Sequence, residues 1–257
     1  MEAQGLSDIG MARANNEDAL LCMPAQGLFA IADGVGGKEH GEIASQVAIK
    51  LITEKFDSDE VISGTEEDRQ MTLREAFYEA NHQIYQAGLE SGSMNTTLTA
   101  VLATDKSFYI VHVGDCRVYL IDDDDIVQLT SDHSLVYEMV SKGEITLEEA
   151  LHHHQRHVIT RALGSPLIKL DDFHYNWDFG DRLLLCSDGL YNFVADAELL
   201  ALVRTGVDLA QTAADLVELA NSRGGYDNIT VILVVNDGKG DAAYEKAAAL
   251  ASAGGED

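Results

Sequence analysis

Proline is nearly absent: only Pro24 and Pro166 occur in 257 residues, and no Ser/Gly tract interrupts the chain before its C-terminal end. That leaves no candidate interdomain linker. Cysteine is almost as rare. Cys22, Cys116 and Cys186 are odd in number, far apart, and form no Cys-x-x-Cys pair. This excludes a disulfide framework or a zinc ribbon and points to a reducing, cytoplasmic setting. No apolar run approaches the roughly 18 residues of a membrane span; the longest are pentads such as Val231–Val235. Met1–Glu17 lacks the basic-then-apolar order of a secretory signal. Positive charge is also in short supply, with 17 Lys and Arg against 44 Asp and Glu, a net charge of −27. Such a field repels phosphate backbones and anionic headgroups, so neither nucleic acid nor a membrane surface is expected as a partner.

What remains is ordinary for a globular protein: 46% hydrophobic and 24% charged residues, in a length that fits one large domain, or at most two small ones, with a real core. Apolar runs predict strands at Leu28–Ala32, Leu98–Ala103, Phe108–Val113, Val118–Ile121, Arg182–Cys186 and Ile229–Val235. The short turns between several of them favour antiparallel meanders, since parallel neighbours need long crossovers. Helical periodicity marks 44–56, 73–87 and 209–220, and Thr146 with Glu149 has capping-box spacing. Strands in runs and helices in pairs predict an α+β domain of two antiparallel sheets covered by helices. Asp122–Asp125 reads as a solvated turn, and Lys239–Asp257 as an Ala-rich, frayed tail.

The informative pattern is where the acids fall. Asp33 ends one apolar strand and Asp188 follows another, each with glycine after it. Asp115 follows a third strand and Gly114, Asp227 immediately precedes Asn228 and a fourth strand, and Glu17 and Asp18 precede a fifth. Taken singly, each Asp-Gly also makes an ordinary turn. Should five such ends converge, their mutual repulsion requires cations, and an all-oxygen donor set selects Mg²⁺ or Mn²⁺ over zinc. Paired ions of this kind activate water and grip phosphoryl oxygens. Arg13, four residues before Glu17, offers a guanidinium fork suited to a phosphate dianion; otherwise it pairs with Glu17 or Asp18.

Arg13–Asp18 (RANNED), Asp33–Gly37 (DGVGG), Thr96-Thr97 after Met94, His112–Arg117 (HVGDCR), Asp132-His133-Ser134, Ile159–Gly164 (ITRALG), Ser187-Asp188-Gly189 and Asp227–Thr230 (DNIT) occur in this order. Together they resemble the bacterial metal-dependent type 2C serine/threonine protein phosphatases, from residue 5 to about 236. The resemblance implies a four-layer α-β-β-α sandwich over residues 1–238, with a flap at about 132–161. It implies two catalytic Mn²⁺ or Mg²⁺ ions and a third, weaker one. Asp33 would bridge the catalytic pair, the Gly34 carbonyl and Glu17 would complete one shell, and Asp188 and Asp227 would bind the other ion. Asp115 would hold the third ion with Asp188, Arg13 would bind phosphate, and Asp18 would accept from metal-bound water. A metal-bridging water would attack phosphoserine or phosphothreonine directly, without a phosphoenzyme, opposing a cognate Ser/Thr kinase. A catalytically silent phosphoprotein-binding regulator is the alternative, and monomer is the default state.

Three positions depart from the family pattern. Val35 stands where many eukaryotic members carry a histidine, Asn95 replaces the glycine before the Thr-Thr pair, and Cys116 replaces a serine. Cys116 is expected to be a buried, inert thiol. His152, His153, His154 and His157 fall in the flap, where a solvated polar loop is expected; His112 reads as a core residue, and His133 receives no catalytic role.

Overall fold

The structure is a computed structural model that describes residues 1–35, 40–206 and 208–239. Gly36 and Gly37 of the DGVGG segment, and the tail beyond residue 239, lie outside the described residues. In chain order the elements are β1 (Glu2–Asp8), β2 (Asp18–Met23), β3 (Leu28–Val35), α1 (His40–Phe56), α2 (Asp59–Ile62), α3 (Glu66–Ser91) and β4 (Asn95–Thr96). There follow β5 (Leu98–Ala103), β6 (Ser107–Val113), β7 (Arg117–Ile121), β8 (Ile126–Gln128), α4 (Leu135–Ser141) and α5 (Leu147–Leu151). The chain continues through β9 (Asp171–Asn176), β10 (Arg182–Cys186), α6 (Asp188–Tyr191), α7 (Asp196–Thr205), α8 (Leu209–Ser222) and β11 (Ile229–Val235).

One sheet has the order β1-β11-β10-β7-β8; the other runs β2-β3-β5-β6-β9, with β4 paired to β3. The pairings within both sheets are antiparallel. Successive side chains of a strand point to opposite faces, so each central strand serves two cores at once. Phe29, Ile31, Val101 and Ile110 of one sheet meet Val118, Leu183, Leu185 and Ile232 of the other. On the outer side, Leu28, Ala30 and Ala32 of β3 pack under Ala48 and Ile52 of α1 and Phe77 and Ile84 of α3. Leu184, Val231 and Leu233 pack under Leu199 of α7 and Leu216 of α8. Burial on both faces explains why these strands are continuous apolar runs rather than alternating ones. Each such fully buried Leu, Ile or Phe contributes about 1.5–3 kcal/mol. The result is the α-β-β-α sandwich.

All six expected strands and the expected helices are present. The capping box closes as its spacing implies: the Thr146 amide donates to Glu149 Oε2 at 2.8 Å and the Glu149 amide to Thr146 Oγ1 at 3.2 Å, opening α5. In the acidic turn, Asp122 Oδ1 accepts the Asp124 and Asp125 amides, each at 2.7 Å. Among the elements not foreseen are β1, β9, α4 and α7. β1 has a weak apolar signal but pairs along its whole length with β11, from Glu2 opposite Val235 to Asp8 opposite Ile229. Its partner makes it a strand, not its composition. Among the described residues no helix is long and apolar enough to cross a membrane.

Candidate active site

Antiparallel pairing sets the start of one strand beside the end of its neighbour. In the first sheet Cys186 lies opposite both Val231 and Arg117, so Asp188 after β10, Asp227 before β11 and Asp115 before β7 reach the same edge. In the second sheet Asp18 is directly opposite Asp33, with Glu17 just outside β2. Two bonds tie the edges together: Ser187 Oγ donates to Asp18 Oδ2 at 2.8 Å, and the Glu17 amide donates to Asn228 Oδ1 at 2.8 Å. Between them opens a cleft of about 590 Å³ lined by Arg13, Glu17, Asp33, Gly34, Asp115, Asp188 and Asp227. Every candidate site residue lines it except Asp18, which is engaged with Ser187.

The backbone around these acids is held tightly. The Asp33 amide donates to Thr97 Oγ1 at 2.8 Å, and its carbonyl accepts from the Thr97 amide at 2.8 Å and Thr96 Oγ1 at 2.9 Å. This gives the Thr-Thr pair its task. Gly34 donates to the Glu17 carbonyl at 3.0 Å, and a Cβ there would lie 2.2 Å from the Gly41 carbonyl oxygen at the start of α1. Only glycine permits that approach. Gly114, before Asp115, has φ +117° and would drive a Cβ to 2.4 Å from that of Thr97. Asn228 holds the Arg13–Asp18 segment by donating to Asn15 O at 2.9 Å and Ile9 O at 3.0 Å.

Burial and mutual repulsion dominate the electrostatics. The Asp33 carboxyl is held well above the usual carboxylate range by burial and then by Asp18, Asp188, Asp115 and Asp227. Asp115 is raised likewise by burial, Asp188 and Asp132, against the pull of Arg117. Burial and Asp188 also raise Asp227, despite Arg13 and the Asn228 amide. Glu17 is raised by burial, which outweighs Arg13. Carboxyls pushed up together in one cleft mark a place built for a compensating positive charge.

The donor set fits a hard divalent cation, being carboxylate and carbonyl oxygen throughout. Asp115 Oδ1 is buried and has no hydrogen-bond partner, an orphan that a cation would satisfy. Among the described residues no three His, Cys, Asp or Glu side chains form a closed coordination shell. The acids turn to protein donors: Asp227 Oδ2 accepts from Arg13 Nη2 at 2.7 Å, and Asp188 Oδ2 accepts from Asn192 Nδ2 at 3.1 Å. A carboxylate has about four lone-pair positions, so these bonds leave room for a ligand. Arg13 chooses Asp227 over the Glu17 or Asp18 pairing considered from sequence, standing 4.0 Å from Glu17 Oε2 with its side chain 45% exposed.

Val35 lines the cleft in the place of the eukaryotic histidine. Asn95 bonds the Leu163 carbonyl at 3.1 Å, so the departure from glycine anchors the returning flap segment. Cys116 is buried, 3.2 Å from Thr97 Oγ1, and burial with Asp33 and Asp115 holds its thiol far above the usual range. His112 is buried with Thr99 Oγ1 at 2.8 Å, a core residue as expected. The flap histidines divide: His153 and His154 lie ring against ring, but His157 lines the cleft, its Nδ1 3.9 Å from Asp188 Oδ2. The loop is nonetheless solvated as expected, the His157 side chain being 57% exposed at the rim of the cleft. Ile159, which opens the ITRALG motif, completes the lining with Arg156, Asn192, Phe193 and Tyr226; these last four were not foreseen, because no motif spacing connects them to the acids.

Comparison with known proteins agrees with this geometry. The family model described as protein phosphatase 2C matches residues 11–233. The serine/threonine phosphatase stp of Listeria innocua is 36% identical over 241 residues, covering 91% of this chain and 95% of the relative. The crystal structure of the Mycobacterium tuberculosis serine/threonine phosphatase PstP/Ppp superposes with a TM-score of 0.82 at 38% identity, over 90% of this chain and 97% of that one. A catalytic domain of PstP in complex with two manganese ions matches with a TM-score of 0.80 at 36% identity, over 90% and 96% of the two chains. A family match over most of the length, with its acid cleft intact, makes this chain a member of the protein phosphatase 2C family of Mn²⁺- or Mg²⁺-dependent hydrolases.

Proposed function

We propose that the chain hydrolyses phosphoserine and phosphothreonine in protein substrates, reversing a cognate Ser/Thr kinase in the cytoplasm. The observation that carries this is the single cleft in which Arg13 faces Glu17, Asp33, Asp115, Asp188 and Asp227. Asp33 would hold both catalytic ions, with the Gly34 carbonyl and Glu17 on one and Asp188 and Asp227 on the other. Asp115, with Asp188, would hold a third. When bound, such ions supply an acidified water and charge to meet the phosphoryl oxygens. Arg13 supplies the protein's own cationic fork, already oriented by Asp227 and open to solvent on its other side. Asp18 would act from behind the cleft, keeping Ser187 and the β10–α6 turn in place. The catalytic unit is taken as residues 1–238, active as a monomer. Three free thiols are consistent with a reducing compartment.

The test is turnover of a phosphothreonine peptide with Mn²⁺, with excess chelator, and by Asp33→Ala. Activity is expected in the first condition only. Undiminished turnover in either of the others removes the acid cleft from the mechanism, and preference for phosphotyrosine overturns the substrate class.

A further inference from the structure

His133 is buried, 4% exposed, and every polar atom it has is committed. Its amide donates to the Gly114 carbonyl at 2.8 Å, while the Gly114 amide donates back to His133 Nδ1 at 3.0 Å. Nδ1 therefore carries no proton, and the neutral ring has its hydrogen on Nε2. Nε2 donates to Asp171 Oδ2 at 3.0 Å, and Arg161 Nη1 donates to the other oxygen of Asp171 at 3.0 Å. The His133 carbonyl accepts the Thr160 amide at 2.7 Å. The next residues, Ser134 and Ile159, form an isolated β-bridge, and the Leu135 amide reaches the Val158 carbonyl at 2.8 Å. Residues 135–158, with α4 and α5, thus leave and rejoin the body through a narrow neck. His133 is the knot of that neck, and its ring grips the residue before Asp115.

We propose that His133 is a positioning residue that couples the flap to the Asp115 carboxylate, setting the affinity of the divalent cation held there. The linkage runs through one bond, Gly114 N–H to Nδ1. Gly114 has φ +117° and is pressed against Thr97, so it has few alternative conformations once that bond is made. The Asp115 side chain that follows points an unpartnered, buried Oδ1 into the site. Groups that orient a metal-binding carboxylate from behind are worth roughly tenfold to a hundredfold in metal affinity. Arg156, His157 and Ile159 line the cleft from the flap side, so the same knot sets where they stand.

The proposal rests on Asp115 being a cation ligand, and the experiment separates the two ideas. Mn²⁺ binding to the full chain is titrated by electron paramagnetic resonance of the free ion, with thermal melts as the check on folding. Asp115→Ala should lose one bound ion. His133→Ala and His133→Gln should keep the stoichiometry but weaken that one site roughly tenfold to a hundredfold. His133→Asn, whose amide oxygen stands where Nδ1 stood, should restore binding to within about threefold of the parent. If Asp115→Ala binds like the parent, the ligand assignment fails and the coupling with it. If Asp115→Ala loses its ion while His133→Gln matches the parent, the coupling alone is wrong. If Asn rescues no better than Gln, or all sites weaken together, His133 has a purely structural role and the proposal falls.

Discussion

Asp18→Asn offers the sharpest test of the electrostatics, because the substitution removes the charge while the amide oxygen still accepts from Ser187 Oγ, at the expense of one acceptor oxygen. Burial, opposed by bonds from Thr230 and Ser187 and reinforced by Asp188 and Asp227, pushes the Asp18 carboxyl from its usual 3.8 up to about 7. A rise of roughly three pH units corresponds to about 4 kcal/mol of stability at about 1.4 kcal/mol per unit. A raised carboxyl leaves stability whole below the unfolded pKa, near pH 4, where both states are protonated. Stability is then lost by about 1.4 kcal/mol per pH unit as only the unfolded chain ionises, until about pH 7, above which the loss is constant. With chelator present, Asp18→Asn should therefore match the parent near pH 4 and exceed it by up to about 4 kcal/mol near pH 8. For a domain of this size that is roughly 2–4 °C of melting temperature per kcal/mol. Urea unfolding across the same pH range measures the difference directly. Saturating Mn²⁺ should narrow the gap, since ions that bind only the folded chain offset its crowded charge. A pH-independent gain, or none, would show that carboxylate repulsion is not what the fold bears at this edge.

Gly34→Ala, which sets a methyl 2.2 Å from the Gly41 carbonyl oxygen, should lower the melting temperature and abolish phosphatase turnover; a normal melt and rate would refute the close approach. Arg13→Lys keeps the charge but loses the fork, and kcat/KM on a phosphothreonine peptide should fall roughly tenfold to a hundredfold. Equal rates for the two would remove Arg13 from phosphate binding. Asn228→Ala deletes three bonds, to the Glu17 amide and the Ile9 and Asn15 carbonyls. It should cost about 2–4 kcal/mol in urea unfolding and raise the Mn²⁺ concentration needed for activity, because Glu17 loses its anchor.

Much of this was legible in the chain. The two helices over the second sheet announce themselves by period, because Ala44, Ala48, Ile52 and Phe56 fall on one face and are buried there. Acids at strand ends signalled the cleft, because antiparallel pairing converts an end-of-strand address into a shared edge. β1 escaped notice because its only strand signal is a partner more than two hundred residues away. β9 is an edge strand whose Phe173 and Tyr175 alternate with polar residues, a pattern too short to stand out.

By itself the sequence determined the chemistry available: oxygen ligands without a zinc set, one arginine poised near them, apolar strands buried on both faces, and thiols too sparse for disulfides. The tertiary structure alone decided which oxygens meet. Register set Asp18 against Asp33, the Ser187 bond drew one sheet's edge onto the other, and the bond from the Gly114 amide to His133 Nδ1 joined the segment after β8 to the strand end before Asp115. Spacing along the chain carries no information about any of these, because each depends on two strands or loops whose separation is fixed only when the layers pack.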